Sequence, residues 1–178
     1  MTVVSHSLDL KTIAISNLRD EHDISKFSCG DFDLDKFINK KLKKAHEKNR
    51  MRAFCACPRD SNTVHGVYTL SIRSEDAKVL LENEQVPEKH FPAIYLGTLA
   101  VARHFQGNGL GKIMLMNALQ RSYYVAQNVA VFGVALRSLN ERTTKLYQRY
   151  GFGLRETCPN PLMVLPVWSL NDLIEKRK

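Results

Sequence analysis

The stretch Gln106-Gly107-Asn108-Gly109-Leu110-Gly111 sits directly after one apolar run and directly before another. That pattern is a tight turn from a strand into a helix. Backbone N–H groups at a helix start have no intrahelical partner, and the helix dipole favours negative charge there. Glycines let the chain bend so that those groups converge on a phosphate. Two well-known phosphate loops fit badly. A P-loop needs Gly-Lys-Ser/Thr, but Gly111-Lys112 is followed by Ile113, and position 106 is Gln rather than Gly. The dinucleotide fingerprint needs Gly-x-Gly-x-x-Gly, whereas the glycines here stand at 107, 109 and 111, and Lys112 fills the place of the third. The loop therefore reads as an anion site of a third kind.

The second group with chemical meaning is charge. Lys plus Arg number 26 against 18 for Asp plus Glu, a net charge of +8. Between Lys36 and Arg52 stand eight basic residues and one acid, Glu47, so this window alone carries +7. A field so concentrated attracts a polyanion, although the same residues also suit a solvated helix face. Cys55 and Cys57 lie on one face of a strand, and no second pair at ligand spacing follows, so we expect no metal site.

These residues need elements to hold them. Lys11–Ser16 alternates as a first strand. Leu34, Phe37, Ile38, Leu42 and Ala45 share one face of a helix predicted from Asp33 to about Lys48, with the lysines mainly on the other. Met51–Cys57 and Thr63–Ile72 form a hairpin, a short helix covers Glu75–Leu81, and Pro92–Ala102 is a central strand. After the glycine loop, a helix runs from Leu110 to Ala126 and a strand from Val129 to Leu136. Ser138 and Glu141 match a capping box for a helix that ends at Gly151, and Leu162–Leu170 is the last strand before a polar tail. The result is one mixed α/β domain over residues 1–178, with a core of about 11–170. Its length suffices for a core without disulfides. The chain has no run of 18 apolar residues, and Met1–Lys11 lacks the apolar centre of a secretory signal, so we expect a soluble, cytoplasmic protein.

Gln106-x-x-Gly109-x-Gly111 resembles the coenzyme A loop, Arg/Gln-x-x-Gly-x-Gly/Ala, of the GNAT N-acetyltransferases. Leu99-Ala100-Val101 before it and Asn140-x6-Tyr147-x3-Gly151-Phe152 after it are similar to the same family. The resemblance implies a GNAT fold: a central, mostly antiparallel mixed sheet with one splayed strand pair and flanking helices. It implies acetyl-CoA as acetyl donor and no metal. Leu99, Ala100 and Val101 would pair with the pantetheine arm, and the N–H groups of Gly107, Asn108, Gly109, Leu110, Gly111 and Lys112 would hold the pyrophosphate. Asn140 would bond the pantetheine. Tyr147, seven residues on, would donate a proton to the leaving thiolate, and the Val101 N–H would face the oxyanion. An amine with a pKa near 7.7–8.0 is partly neutral at pH 7, so no strong side-chain base is demanded. His65 and His104 are candidate accessory bases.

Phe27-Ser-Cys29-Gly30-x3-Leu34-Asp35-x-Phe37-Ile38 further resembles the opening of GNAT toxins of the TacT and AtaT kind. Tyr95-Leu-Gly97-x-Leu99-Ala100-Val101 is similar to their Leu-Gly-Arg-Leu-Ala strand, with Thr98 at the place of Arg. This implies acetylation of the α-amine of aminoacyl-tRNA, a block of translation, a small ribbon-helix-helix antitoxin and a homodimer. Lys40, Lys41, Lys43, Lys44 and Lys48 are then the candidate tRNA contacts. The alternatives are a GNAT acting on protein N-termini, lysines or a small amine, an idle acyl-CoA-binding module, and a plain nucleic-acid binder.

Overall fold

The computed structural model describes residues 9–176. Most of the Met1–Lys11 segment, read above for a leader, and the last two residues of the tail lie outside them. The strands are β1 (Ile13–Asn17), β2 (Arg52–Pro58), β3 (Gly66–Asp76), β4 (His90–Val101), β5 (Gly133–Arg137), β6 (Gly153–Leu154) and β7 (Leu162–Pro166). The helices are α1 (Phe32–Lys40), α2 (Leu42–Glu47), α3 (Leu110–Ala126), α4 (Glu141–Gln148) and α5 (Val167–Glu175). The strand order is β1-β2-β3-β4-β5-β7-β6, a mostly antiparallel mixed sheet. Two compact units share these elements: one holds the described residues up to Thr69 with Thr98–Asn117, the other Leu70–Gly97 and the described residues from Ala118.

In the first unit β1 pairs antiparallel with β2, from Ile13 opposite Pro58 to Asn17 opposite Phe54. Its core gathers Leu18, Phe27, Ile38, Leu42, Cys55, Val67 and Ala100, all buried. Asp31 starts α1, its Oδ1 accepting the Leu34 N–H at 2.9 Å. One continuous helix to Lys48 is not what forms. Lys41 leaves the helical region at φ −120°, and α2 begins after it. Two anchors hold α2 separately: the His46 ring accepts from the Ala53 N–H at 3.0 Å, and Lys43 Nζ donates to the Asp20 carbonyl at 2.8 Å. Both bonds are tertiary, so the local 3.6-residue period could not announce the break.

In the second unit β4 runs parallel to β5 over Ala93–Tyr95 and Gly133–Ala135. That ladder ends at Tyr95, while β4 continues to Val101, the open pair expected of the fold. β7 pairs antiparallel with both β5 and β6. A buried ion pair, Arg155 with Glu84 at 2.6 Å, ties the segment after β6 to the turn at Glu82–Glu84.

Four expected elements are corrected in this unit. Glu75 and Asp76 extend β3, and only a 3-10 turn, Ala77–Val79, follows, because the Ala77 N–H pairs with the Lys89 carbonyl instead of a helical one. The strand predicted from Val129 begins only at Gly133. The strand predicted through Leu170 stops at Pro166, which caps α5, and Leu170 and Ile174, four apart, bury one helical face. The cap of α4 is Asn140 rather than Ser138. Asn140 Oδ1 accepts the Thr143 N–H at 3.0 Å, and Thr143 Oγ1 accepts the Asn140 N–H at 3.1 Å. Ser138 instead shares a hydroxyl bond with Thr144 at 2.7 Å, and Glu141 pairs with Lys145.

Candidate active site

The first unit brings Leu99–Lys112 together as one continuous segment. Ala100 is buried, and Leu99 and Val101 are half-buried at the end of β4. A 3-10 turn, Arg103–Phe105, leads to the glycine loop. His65 underlies this turn: its ring stacks on Phe105 at 3.8 Å, and its carbonyl accepts the Ala102 N–H at 2.8 Å. Burial pushes the His65 pKa down, so the ring is neutral at pH 7 and serves as packing. His104 is exposed on the same turn.

Gly107 and Gly109 take φ of +80° and +86°, in the left-handed region. The Lys112 and Ile113 N–H groups both turn back to the Gly109 carbonyl, at 3.1 and 3.2 Å. The N–H groups of Gly107, Asn108, Gly109, Leu110 and Gly111 find no acceptor among the described residues. Backbone donors left open at a helix start are what a pyrophosphate requires, and exposed Lys112 adds a full positive charge. The Gln106 side chain is used otherwise: Nε2 donates to the Cys29 carbonyl at 2.7 Å and to the Val101 carbonyl at 2.9 Å.

The conformation of Gly109 gives a direct test. A Cβ there would meet only Leu10 Cδ1, at 3.6 Å, an ordinary contact. The obstacle to a side chain is φ, which costs an L-residue about 1–2 kcal/mol and a β-branched one more. Gly109→Val is expected to turn the peptide away and to weaken acetyl-CoA binding by roughly tenfold or more, two lost amide contacts at about 1 kcal/mol each. Calorimetry on the folded variant measures it, and unchanged affinity removes the loop from the site.

The second unit holds α4 and with it Asn140 and Tyr147. Asn140 is exposed, and its oxygen is spent on the cap. Tyr147 stands at the far end, 8% exposed. Gly151 follows in the left-handed conformation, φ +91°. Its N–H bonds to the Gln148 carbonyl at 3.0 Å, and the Phe152 N–H bonds to the Tyr147 carbonyl at 3.2 Å. This is a Schellman closure, and its usual apolar contact is the Tyr147–Phe152 ring pair at 5.8 Å. The spacing Tyr147-x3-Gly151-Phe152 thus has a backbone cause: Gly ends the helix, and Phe fixes the tyrosine ring. Burial pushes the Tyr147 phenol up to about 12, so it is a neutral O–H donor across the neutral range.

Of the five candidate lysines, Lys40, Lys41, Lys44 and Lys48 are exposed on α1, α2 and their junctions, beside exposed Lys36. Lys43 is half-buried and committed to Asp20. Cys55 and Cys57 are both buried, and burial pushes their thiols up to about 12 and about 11. No group of three or more His, Cys, Asp or Glu among the described residues could hold a metal ion. No described helix is long and apolar enough to cross a membrane. Reading by motif missed Asp35. Its carboxylate accepts from Ser28 Oγ at 2.9 Å and from the Cys29 N–H at 2.7 Å, and only its place after the Phe-x-Cys-Gly turn hints at this.

A sheet with one open strand pair, and unpaired N–H groups in a glycine turn at the start of α3, match the architecture of an acyl-CoA-dependent transferase. Residues 15–152 match the acetyltransferase (GNAT) family, and the chain belongs to that family. It is similar to a tRNA-acetylating toxin of Mycobacterium tuberculosis (strain ATCC 25618 / H37Rv), 30% identical over 151 residues that cover 83% of this chain and 89% of the relative. Among solved structures it is similar to a tyrosine-to-phenylalanine mutant of KacT, with a TM-score of 0.84, 26% identity and coverage of 91% and 99%. AtaT complexed with acetyl-methionyl-tRNAfMet gives a TM-score of 0.83 at 26% identity, covering 91% of this chain and 99% of that one. AtaTR bound with acetyl-CoA, and a tyrosine-to-phenylalanine mutant of AtaT bound to the C-terminus of the antitoxin AtaR, give TM-scores of 0.80 and 0.78 with 26% and 25% identity. Those two matches cover 93% and 91% of this chain and 99% and 98% of the matched chains.

Proposed function

We propose that this protein transfers the acetyl group of acetyl-CoA to the α-amine of aminoacyl-tRNA and so arrests translation. The observation that carries acetyl-CoA binding is the row of N–H groups from Gly107 to Gly111 without an acceptor among the described residues. Leu99, Ala100 and Val101 offer backbone for the pantetheine arm, and the remaining Asn140 amide N–H₂ is free to bond it. The neutral amine attacks the thioester carbon, and the Val101 N–H stabilises the oxyanion. The C–S bond then breaks with its electron pair going to sulfur, Tyr147 gives its phenolic proton to the thiolate, and the amine's extra proton goes to water.

The exposed Lys40, Lys41, Lys44 and Lys48 support a polyanionic acceptor, as does similarity to a tRNA-acetylating toxin and to AtaT complexed with acetyl-methionyl-tRNAfMet. Aminoacyl-tRNA is a cytoplasmic substrate, and the protein works there. It is held in check by a small ribbon-helix-helix antitoxin, in line with the AtaT–AtaR complex. A homodimer, which the resemblance to toxins of the TacT and AtaT kind implies, completes this reading. The test uses purified protein, acetyl-CoA, a mixture of aminoacyl-tRNAs and a lysine-containing peptide. Mass spectrometry after nuclease digestion is expected to find acetyl groups on aminoacyl-adenosine. Acetylation of the peptide alone overturns the proposed acceptor.

A further inference from the structure

The Asp35 carboxylate collects three donors from one turn: Ser28 Oγ at 2.9 Å, the Cys29 N–H at 2.7 Å and the Gly30 N–H at 3.4 Å. Burial works against its charge, but hydrogen bonding from the Cys29 backbone and thiol, from Ser28 and from the Gly30 backbone outweighs it and holds its pKa below the usual carboxylate value. The Phe27–Gly30 turn is therefore folded around an acid delivered by α1. The other side of that turn faces residues 101–106. The Arg103 N–H donates to the Ser28 carbonyl at 2.9 Å, and a Cβ on Gly30 would lie 3.2 Å from the Arg103 guanidinium. Gln106 Nε2 bridges the Cys29 and Val101 carbonyls. A primary amide has two N–H donors, and both are spent here, so the Gln106 side chain has no donor left for a phosphate. Short hydrogen bonds thus run from α1 through the Ser28–Gly30 turn to the residue just before the open N–H groups.

We infer that Asp35 is a positioning residue for the Gly107–Gly111 donors, acting through the Ser28–Gly30 turn and Gln106, and that it governs recognition of the diphosphate of the acyl-CoA donor. This rests on the reading of that loop as the acetyl-CoA site. A carboxylate is required because three donors from one turn need two acceptor oxygens. Asn at this place offers one oxygen and sets an N–H₂ against a main-chain donor.

The test compares two acetyl donors, acetyl-CoA and acetyl-pantetheine, which lacks the diphosphate. Wild type is expected to use acetyl-CoA far better. In Asp35→Asn, kcat/KM for acetyl-CoA is expected to fall roughly tenfold or more, the effect of losing one charge-assisted bond, while acetyl-pantetheine stays close to wild type. Ser28→Ala, which keeps Asp35 and removes the Ser28 Oγ donor, should narrow the ratio in the same direction by a smaller factor and covers the case in which Asp35→Asn does not fold. If both variants lose the two donors equally, or lose only thermal stability, the positioning role is overturned. If wild type itself shows no preference for acetyl-CoA, the loop is not the diphosphate site, and the reading beneath the inference fails with it.

Discussion

Tyr147→Phe is expected to bind acetyl-CoA as tightly as wild type and to lose about 10²–10⁴-fold in turnover, the usual range for a general acid. The substitution removes one oxygen and leaves the ring. The ring is what packs against Phe152, and the Schellman bonds at Gly151 and Phe152 belong to the backbone, so the helix end survives. The pH dependence separates the donor from other groups. Burial holds the Tyr147 phenol at about 12, so it stays protonated through the whole working range. The rate should rise with pH as the acceptor amine loses its proton, near 7.7–8.0, and show no falling limb from Tyr147 at neutral or mildly basic pH. The variant should keep the same rise on a lower plateau. Stability follows the same shift. The raised phenol pKa stabilises the fold fully below the unfolded value of about 10, and the effect is lost as pH climbs through about 12. A near-wild-type rate at pH 7 takes the donor role away from Tyr147.

Changing Lys40, Lys41 and Lys44 to Glu together is expected to abolish acetylation of aminoacyl-tRNA and, with it, growth arrest on expression. The three side chains are exposed, whereas Lys43 is left alone because it holds Asp20 and would confound folding with binding. Three attractions become three repulsions. The log–log salt slope of binding should flatten by about 2–3 units, at roughly 0.7–0.9 per phosphate contact. Folding should survive, since surface changes cost within about 0.5 kcal/mol each, with up to about 1 kcal/mol more where an acid replaces a lysine in the last turn of α1. Acetyl-CoA affinity should stay as it is, because Asp35 and the glycine loop are untouched. Filter binding over a salt series, beside a growth assay, reads both effects. A triple mutant as toxic as wild type with the same slope returns the lysines to a solvating role.

The glycine loop was legible in sequence because its signal is local: glycine supplies the positive φ, and a helix start supplies free N–H groups. The Gly151 end of α4 was legible for the same reason. The start of that helix was not. Ser138-x-x-Glu141 and Asn140-x-x-Thr143 both satisfy a capping pattern, and the choice was made by where β5 ends, at Arg137, and by the bond between Ser138 and Thr144. The break at Lys41 and the strand pairing of Ala77 are tertiary effects that overrule propensity. α5 was hidden by apolar residues that suit either period, and only Pro166 and the Leu170–Ile174 spacing mark the change. The role of Asp35 stayed out of sight because its donors come from a turn with no regular period.

Tyr147 is moored by its own carbonyl. The Phe152 amide that grips it can exchange its hydrogen with solvent only when the end of α4 comes undone. One backbone proton, five residues away from the phenol in sequence, is therefore a gauge of how often the proposed proton donor is out of position.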